Sequence, residues 1–255
     1  MKPRVSKILV YPFKGLDPVE VKEARVVEKG SLEHDREFVL VDEEGNVISG
    51  KREKKLHQVR SYVDFETGVV SFSYQGRSYK FTLEETKPIE DFFSEVLQYK
   101  VFLRRFPDGG LPDDRRAHGP TLVSESTLEE VSLWMDLPLE NVRRRFRANL
   151  EIEGVPPFWE DRLVGEEEAV RFRIGEVTLE GYGISKRCPV PTRDPYTGEE
   201  FSGFVRRFIQ KRKETLPPWA PRSRFTDTYY RLCINTVIPP QEKGKFIRVG
   251  DPLIL

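Results

Sequence analysis

The chain has 255 residues, with 42 Lys plus Arg balanced by 42 Asp plus Glu. That length buries a sizeable core, as one large β-rich domain or two smaller ones. The even charge excludes a general attraction to nucleic acid or to anionic membrane, so any anion site must be local. Two cysteines make no disulfide framework and no CxxC or Cys/His cluster of the zinc type, which fits a reducing compartment. A single bridge between Cys188 and Cys233 stays open. Met1 to Leu16 lacks the apolar core of a signal peptide and no stretch reaches membrane-spanning length, so a cytoplasmic protein without membrane attachment is expected.

The first hundred residues read mostly as strands. Ile8 to Tyr11 is an apolar run stopped by Pro12, and Phe38 to Val41 leads through a turn at Asp42 to Asn46 into Val47-Ile48, a hairpin. Turns at Glu66-Thr67-Gly68 and Gln75-Gly76-Arg77 separate Tyr62 to Phe65, Val69 to Tyr74 and Ser78 to Phe81, a meander that closes naturally into a small barrel or curled sheet. Pro88 at a first helical turn, then Ile89, Phe92, Phe93, Val96 and Leu97 at helical spacing, predict a short helix capping it. Val101 to Leu103 is another strand. Pro107 to Pro120 then turns polar and Gly/Pro-rich, which places a domain junction there and divides the chain into 1–106 and 107–255.

Beyond the junction, Ser126-Thr127-Leu128-Glu129 has capping-box spacing. Leu128, Val131, Leu133, Trp134 and Met135 supply the apolar face of a helix ending near Leu137-Pro138. Asn149 to Gly154 and Glu176 to Gly181 alternate, and each predicts a half-buried strand ending at its glycine. Phe201, Phe204, Val205, Phe208 and Ile209 recur at helical spacing opposite a cationic face of Arg206, Arg207, Lys211 and Arg212. Tyr230 to Ile238 and Phe246 to Leu255 return to strand, with Cys233 a packed thiol inside the first. The expected fold class is mainly β with a few helices.

Chemistry concentrates between Ser185 and Gly198, where Cys188 follows Lys186 and Arg187 and precedes Arg193. Neighbouring cations favour the thiolate, the form that attacks electrophiles or ligates soft metals. Pro189, Pro191, Pro195 and Gly198 hold the segment as a rigid loop instead of a strand or helix. A lone loop cysteine is equally compatible with an inert thiol, and each single Lys or Arg with a solvated surface charge. Asp194, ahead of Pro195, is either a turn former or a group orienting a site.

Six separated segments carry a resemblance. They are Tyr11-Pro12-Phe13-Lys14-Gly15, Asp35 to Asp42, Leu122-Val123-Ser124-Glu125-Ser126, Phe146-Arg147-Ala148-Asn149-Leu150, Arg187-Cys188 with Thr192 to Gly198, and Val249-Gly250-Asp251-Pro252-Leu253. In this order they resemble the YPVKS, DRxWxLVD, LLSEAS, FRPN, RCxxTTxDPxTG and VGDPV motifs of the MOSC family. That domain is shared by molybdenum-cofactor sulfurase C-termini and amidoxime-reducing molybdoenzymes. The resemblance implies an N-terminal β-barrel-like domain packed on a MOSC β-barrel domain, and it implies the molybdenum cofactor. A soft metal on a pterin dithiolene with a phosphate tail asks for one thiolate and a ring of cations and amide donors. By resemblance, Cys188 ligates molybdenum and is catalytic. Lys14, Arg36, Arg147, Asn149 and Arg187 contact pterin and phosphate, and Asp194 stands beside the metal or only shapes the turn. His118 lies in a segment that contacts the cofactor in similar proteins, and is otherwise a loop histidine. Lys14 and Arg36 are then expected to face the same cleft as Arg147 and Cys188.

Departures from the family pattern bear on the substrate. Gly15 stands for a serine, Ala148 for a proline and Ser185 for an additional cysteine, while Pro189 and Pro191 crowd the loop. The implied activity is reduction of an N-hydroxylated or related N-oxygenated small molecule, with electrons from a separate protein because no ferredoxin-like cysteine cluster is present. The alternative is a carrier or sulfurtransferase in which the same cysteine holds the cofactor or a persulfide. A third reading is a β-barrel module binding some other phosphorylated ligand.

Overall fold

The computed structural model of the chain describes residues 2–114 and 116–255. The apolar run around Ile8 forms β1 (Arg4–Val10), antiparallel to β2 (Val19–Val21), and a short β3 (Glu23–Arg25) follows. β4 (Phe38–Val41) is buried along its whole length. The expected meander forms as β5 (Arg60–Asp64), β6 (Val69–Tyr74) and β7 (Arg77–Thr82). Helix α1 (Thr86–Leu97) begins two residues before Pro88 and buries the five predicted apolar side chains. Its Phe92 and Phe93 rings meet Phe72 at 5.3 and 5.0 Å, and such aromatic pairs add about 0.5–1.5 kcal/mol each beyond burial. β8 (Phe102–Arg105) is the antiparallel partner of β4, so the predicted return through Val47 contributes only an isolated bridge to Val41.

The second half opens with β9 (Leu122–Ser124), α2 (Glu125–Met135), α3 (Leu139–Phe146) and β10 (Leu150–Glu153). The cap of α2 lies two residues earlier than predicted: Ser124 Oγ accepts from the Thr127 N–H at 3.2 Å, and Ser126 is already inside the helix. Leu133, assigned to the apolar face, is 77% exposed. The sequence pattern gave no expectation for α3, although Leu139, Val142 and Phe146 carry its spacing between charged neighbours. β10 is buried on both faces, unlike the half-buried strand expected, because Arg143 neutralises its Glu151 across 2.6 Å.

β11 (Val170–Ile174) pairs with β12 (Val177–Lys186), which does not stop at Gly181 but continues through two register shifts toward the cysteine loop. Gly181 is needed there, since a Cβ would collide with the Leu163 carbonyl. α4 (Phe204–Glu214), β13 (Arg231–Val237), β14 (Phe246–Arg248) and β15 (Leu253–Ile254) complete the chain.

Eight strands share one sheet in the order β15-β11-β12-β13-β9-β10-β1-β2. The end strand β15 reaches the start of β1, the neighbour of the opposite end strand: the Leu253 N–H donates to the Pro3 carbonyl and the Val5 N–H to the Asp251 carbonyl, each at 2.9 Å, so the sheet curls back on itself. β1 pairs with β10 and β14 with β3, and thus two early strands are hydrogen-bonded to late ones. The fold is mostly β with a few helices. No helix among the described residues is long and apolar enough to cross a membrane.

Behind β9 and β13, the helices α2, α3 and α4 form an aromatic layer in which the Phe208 ring lies 5.6 Å from Trp134 and 5.7 Å from Phe146. The helical pattern put Arg212 on the exposed cationic face, but it is fully buried. Its guanidinium pairs with Asp161 and lies 4.0 Å from the centre of the Phe158 ring and 5.1 Å from that of Phe225. A planar, weakly hydrated cation suits that position where an ammonium would not.

Next to this pair, buried Glu160 accepts from Thr127 Oγ1 at 3.1 Å. Burial first, then the Asp161 charge, push its carboxyl up to about 7. A raised carboxyl pKa means the folded chain holds the proton more tightly than the unfolded one. This contribution is therefore full below the ordinary carboxylate value, is lost as pH rises to about 7, and is constant above that. Glu160→Gln should remove this decline and leave the variant more stable than the parent at pH 8 by on the order of 2–3 kcal/mol, with near equality at pH 4.5, as read from urea unfolding at both pH values. Parallel stability curves for the two proteins would contradict the assignment.

Candidate functional site

A cleft of about 1050 Å³ opens between the two halves of the chain. Lys14 and Arg36 reach it from the first half, and His118, Arg147, Arg187 and Cys188 from the second, so the expected shared cleft exists. Asn149 and Asp194 do not line it; they stand behind its walls.

The floor is built on Tyr11, at the buried end of β1. Its hydroxyl donates to the Ala148 carbonyl at 3.1 Å, and the Arg147 and Arg36 guanidinium carbons lie 4.2 and 5.4 Å from its ring centre. Two arginines are thus held against one aromatic ring by cation–π attraction. Both have left-handed backbones, with φ of 55° and 54°, a conformation that costs a non-glycine residue on the order of 1 kcal/mol and persists where the surroundings impose it. At Arg147 the cause is its role in ending α3, where its N–H donates to the Arg143 carbonyl at 2.9 Å. Arg36 is aimed by Asp35 and by Asn149 Oδ1 at 3.3 Å. The resemblance gave Asn149 to the cofactor, but its amide is consumed inside the protein, donating to Leu9 O at 3.0 Å and Asp35 Oδ1 at 2.9 Å. It positions Arg36.

Arg147 has no hydrogen bond or ion pair from its guanidinium to any described residue. Burial lowers its pKa, and nearby Arg36 adds to the effect. Two adjacent guanidinium groups with one carboxylate partner between them make a site that favours an anion.

Cys188 is half-buried and, like Cys233, a free thiol. The cations beside it in sequence are engaged elsewhere. Lys186 pairs with Asp227 at 3.1 Å, and Arg187 donates to the Phe146 carbonyl at 2.7 Å while lying 5.4 Å from that ring. Arg187 therefore ties the cysteine to the end of α3. The loop is not wholly irregular: Val190–Thr192 forms one 3₁₀ turn. Buried Arg145, which the sequence reading missed, braces it by donating to the carbonyls of Pro191 and Arg193 at 2.9 and 2.6 Å. Asp194 Oδ1 accepts from the N–H groups of Tyr196 and Thr197 at 2.9 and 3.0 Å, and Oδ2 accepts from Asn141 at 3.2 Å. Of its two sequence readings, the geometry gives the turn former. Arg193, read from the sequence only as a cation beside the thiol, donates to the Gly50 carbonyl at 2.8 Å and fastens the loop to the first half. Its place inside the recognised loop motif was the available signal.

Across the cleft, the 107–120 segment brings Asp113 to Lys14 at 2.9 Å and Lys51 at 3.5 Å. Burial alone would raise the Asp113 carboxyl, but Lys14 above all, with Lys51 and Arg36, holds it well below the usual carboxylate range. Lys14 also donates to the Leu111 carbonyl at 2.8 Å, and burial lowers its pKa. Several buried polar atoms of the cleft have no partner: Ser31 Oγ, His118 Nδ1, Arg187 Nε and Arg193 Nε. An unsatisfied buried group costs about 1–3 kcal/mol, so their gathering on one cleft fits a ligand rich in acceptors. Among the described residues no cluster of three His, Cys, Asp or Glu could cage a metal ion. A metal suited to this donor set would arrive within a larger group and take the single thiolate.

Residues 2–99 match the MOSC N-terminal beta barrel domain, and residues 120–254 match the MOSC domain. Human mitochondrial amidoxime-reducing component 1 is 22% identical over 296 aligned positions, covering 98% of this chain and 82% of that protein. A molybdenum cofactor sulfurase of Caenorhabditis briggsae is 28% identical over 133 residues, or 51% of this chain, and the chain spans only 16% of that protein's length. A solved structure, the YUAD protein from Bacillus subtilis, aligns over 99% of this chain and 94% of that one, with a TM-score of 0.41 and 10% identity. With both domain matches lying in sequence order along nearly its whole length, the chain belongs to the MOSC domain family.

Proposed function

We propose that the cleft holds the molybdenum cofactor and reduces N-hydroxylated or other N-oxygenated small molecules. The observation that carries this reading is the convergence of one free thiol, Cys188, with an unpaired guanidinium, Arg147, and cations from both halves of the chain. When bound, the cofactor supplies two-electron oxygen-atom chemistry. Cys188 would be its protein ligand. Arg147 and Arg36 would hold its anionic and acceptor-rich parts, with Ser31 and His118 as further donors. Each conversion breaks one N–O bond: two electrons and two protons enter and the oxygen leaves as water, with one proton ending as a new N–H when the substrate is N-hydroxylated and both protons in the water when it is an N-oxide. The two cysteines of this sequence cannot hold a Cys₄ iron–sulfur cluster, and the proposal takes the electrons from a separate protein. The amidoxime-reducing relative supports the reductase over the carrier, since it is matched across almost the full chain.

Cys188→Ser should lose both molybdenum and dye-linked reduction of an N-hydroxylated substrate, because serine offers a hard, protonated oxygen. Cys233→Ser should keep both and lose stability at most. Burial pushes the Cys233 thiol up to about 12, so it stays protonated within the core. Metal analysis and turnover of the two purified variants check this. Full metal and turnover in Cys188→Ser would remove the ligand role, and retained metal without turnover would favour sulfur transfer.

Arg147→Ala removes a guanidinium whose only described side-chain contact is the Tyr11 ring, so its stability should change by no more than about 1 kcal/mol. Cofactor retention after exhaustive dialysis should fall about ten- to hundredfold, as expected for one lost charge-assisted hydrogen bond to an anion. A large fall in melting temperature would instead make Arg147 structural.

Asp113→Asn frees Lys14 and Lys51 from their internal counterion. Calorimetric titration of the cofactor-free protein with inorganic pyrophosphate should show tighter binding in the variant by about tenfold, with the difference shrinking in high salt. Equal affinities would mean that Asp113 does not compete with an anion for these lysines.

A further inference from the structure

Helix α4 presents an outer face whose cations pair with no other described element of the fold. Phe204, Phe208 and Arg212 turn inward and are buried, leaving Arg206, Arg207, Gln210 and Lys213 exposed. Arg206, Arg207 and Lys213 make no side-chain hydrogen bond or ion pair with any described residue, and Lys211 has only Glu214 at 3.5 Å. In a chain of zero net charge, three unneutralised cations on one short helix form a local positive field that steers acidic partners.

What lies beneath the patch distinguishes it from an ordinary solvated face. The Phe208 ring meets Tyr230 edge-on at 5.3 Å, and the Tyr230 hydroxyl donates to the Cys188 carbonyl at 3.5 Å. The neighbouring Phe204 ring lies 5.5 Å from the guanidinium of Arg145, which braces the same loop. Arg206 and Arg207 therefore stand on the turn that carries Phe208, a residue one packed ring away from the backbone of the cysteine. No residue of α4 lines the cleft, so a protein seated on this face leaves the substrate's entrance open.

We propose that the cationic face of α4 docks the electron-donating protein, and that the donor meets it with an acidic surface. The inference rests on the reductase reading. Per turnover the donor gives up two electrons, which with two protons from solvent break the N–O bond and release water. The packed Tyr230 and Phe208 rings bridge from the docking face to the Cys188 backbone without being oxidised themselves.

The test compares the full, cofactor-loaded protein with a variant carrying Arg206→Glu, Arg207→Glu and Lys213→Glu. The probe is flavodoxin, an acidic electron-transfer protein, and its binding is measured by surface plasmon resonance at low and at physiological salt. The parent should bind flavodoxin about tenfold more weakly at the higher salt. The variant should bind at least about tenfold more weakly than the parent at low salt and lose that salt dependence, with metal content, unfolding curve and dye-linked turnover unchanged. No salt-sensitive binding by the parent, or equal binding by both proteins, overturns the docking surface. If docking behaves as expected but neither protein turns over an N-hydroxylated substrate with the dye, the surface stands and the reductase reading falls.

Discussion

The buried amide of Asn149 holds the two halves of the cleft in register. It makes five hydrogen bonds, accepting from Arg36 and from the backbone and hydroxyl of Thr121, and donating to Leu9 and Asp35. A residue 1% exposed has no water to replace any of these. Its position at the start of β10 therefore requires that β1, the Asp35 turn and the Thr121 backbone arrive together. Tyr11 follows from that arrangement, since its N–H is bonded to the same Asp35 carboxylate at 3.0 Å. The arginines laid over the Tyr11 ring inherit their positions from it. A neutral amide with both donors and acceptors can bind backbone, carboxylate and guanidinium at once, which no single charged side chain can do.

Around this junction the charges follow a division of labour. Arginines that touch carbonyls (Arg145, Arg187 and Arg193) hold the cysteine loop in shape, each with at least one donor spent on backbone. Arg147 and Arg36 instead present guanidinium to the cleft. Asp113 neutralises the lysine side of the site from a segment rich in glycine and proline. Fixing the donors before a ligand arrives reduces the ordering cost of binding.

Much of the fold and part of the site were legible in the sequence, for reasons that differ by residue. The β5–β7 meander and α1 declared themselves because their apolar periodicity is undisturbed and their turns carry glycine. α3 did not, because Arg143-Arg144-Arg145 masks a sparse apolar stripe whose partners are distant in the chain. Arg212 was misplaced for a related reason: periodicity registers charge but cannot register Asp161 waiting in the core. The motifs located the cleft through Lys14, Arg36, Arg147 and Cys188. Asn149 and Asp194 share those motifs yet serve the scaffold, since a motif records which residues occur together and not which way a side chain turns. Arg145 could be recognised only once the loop it braces had a shape.

The curl of the large sheet also sets an order of events in time. β15 is synthesised after every other strand, and it borders both β11 and the residues leading into β1. The pairing that completes the sheet therefore joins segments separated by nearly the whole sequence, a contact of the slowest kind to form. Until it forms, β1 lacks part of its neighbourhood, and Tyr11 at its end has no settled platform to offer two arginines. During biosynthesis the thiol of Cys188 thus emerges well before the cleft around it can close.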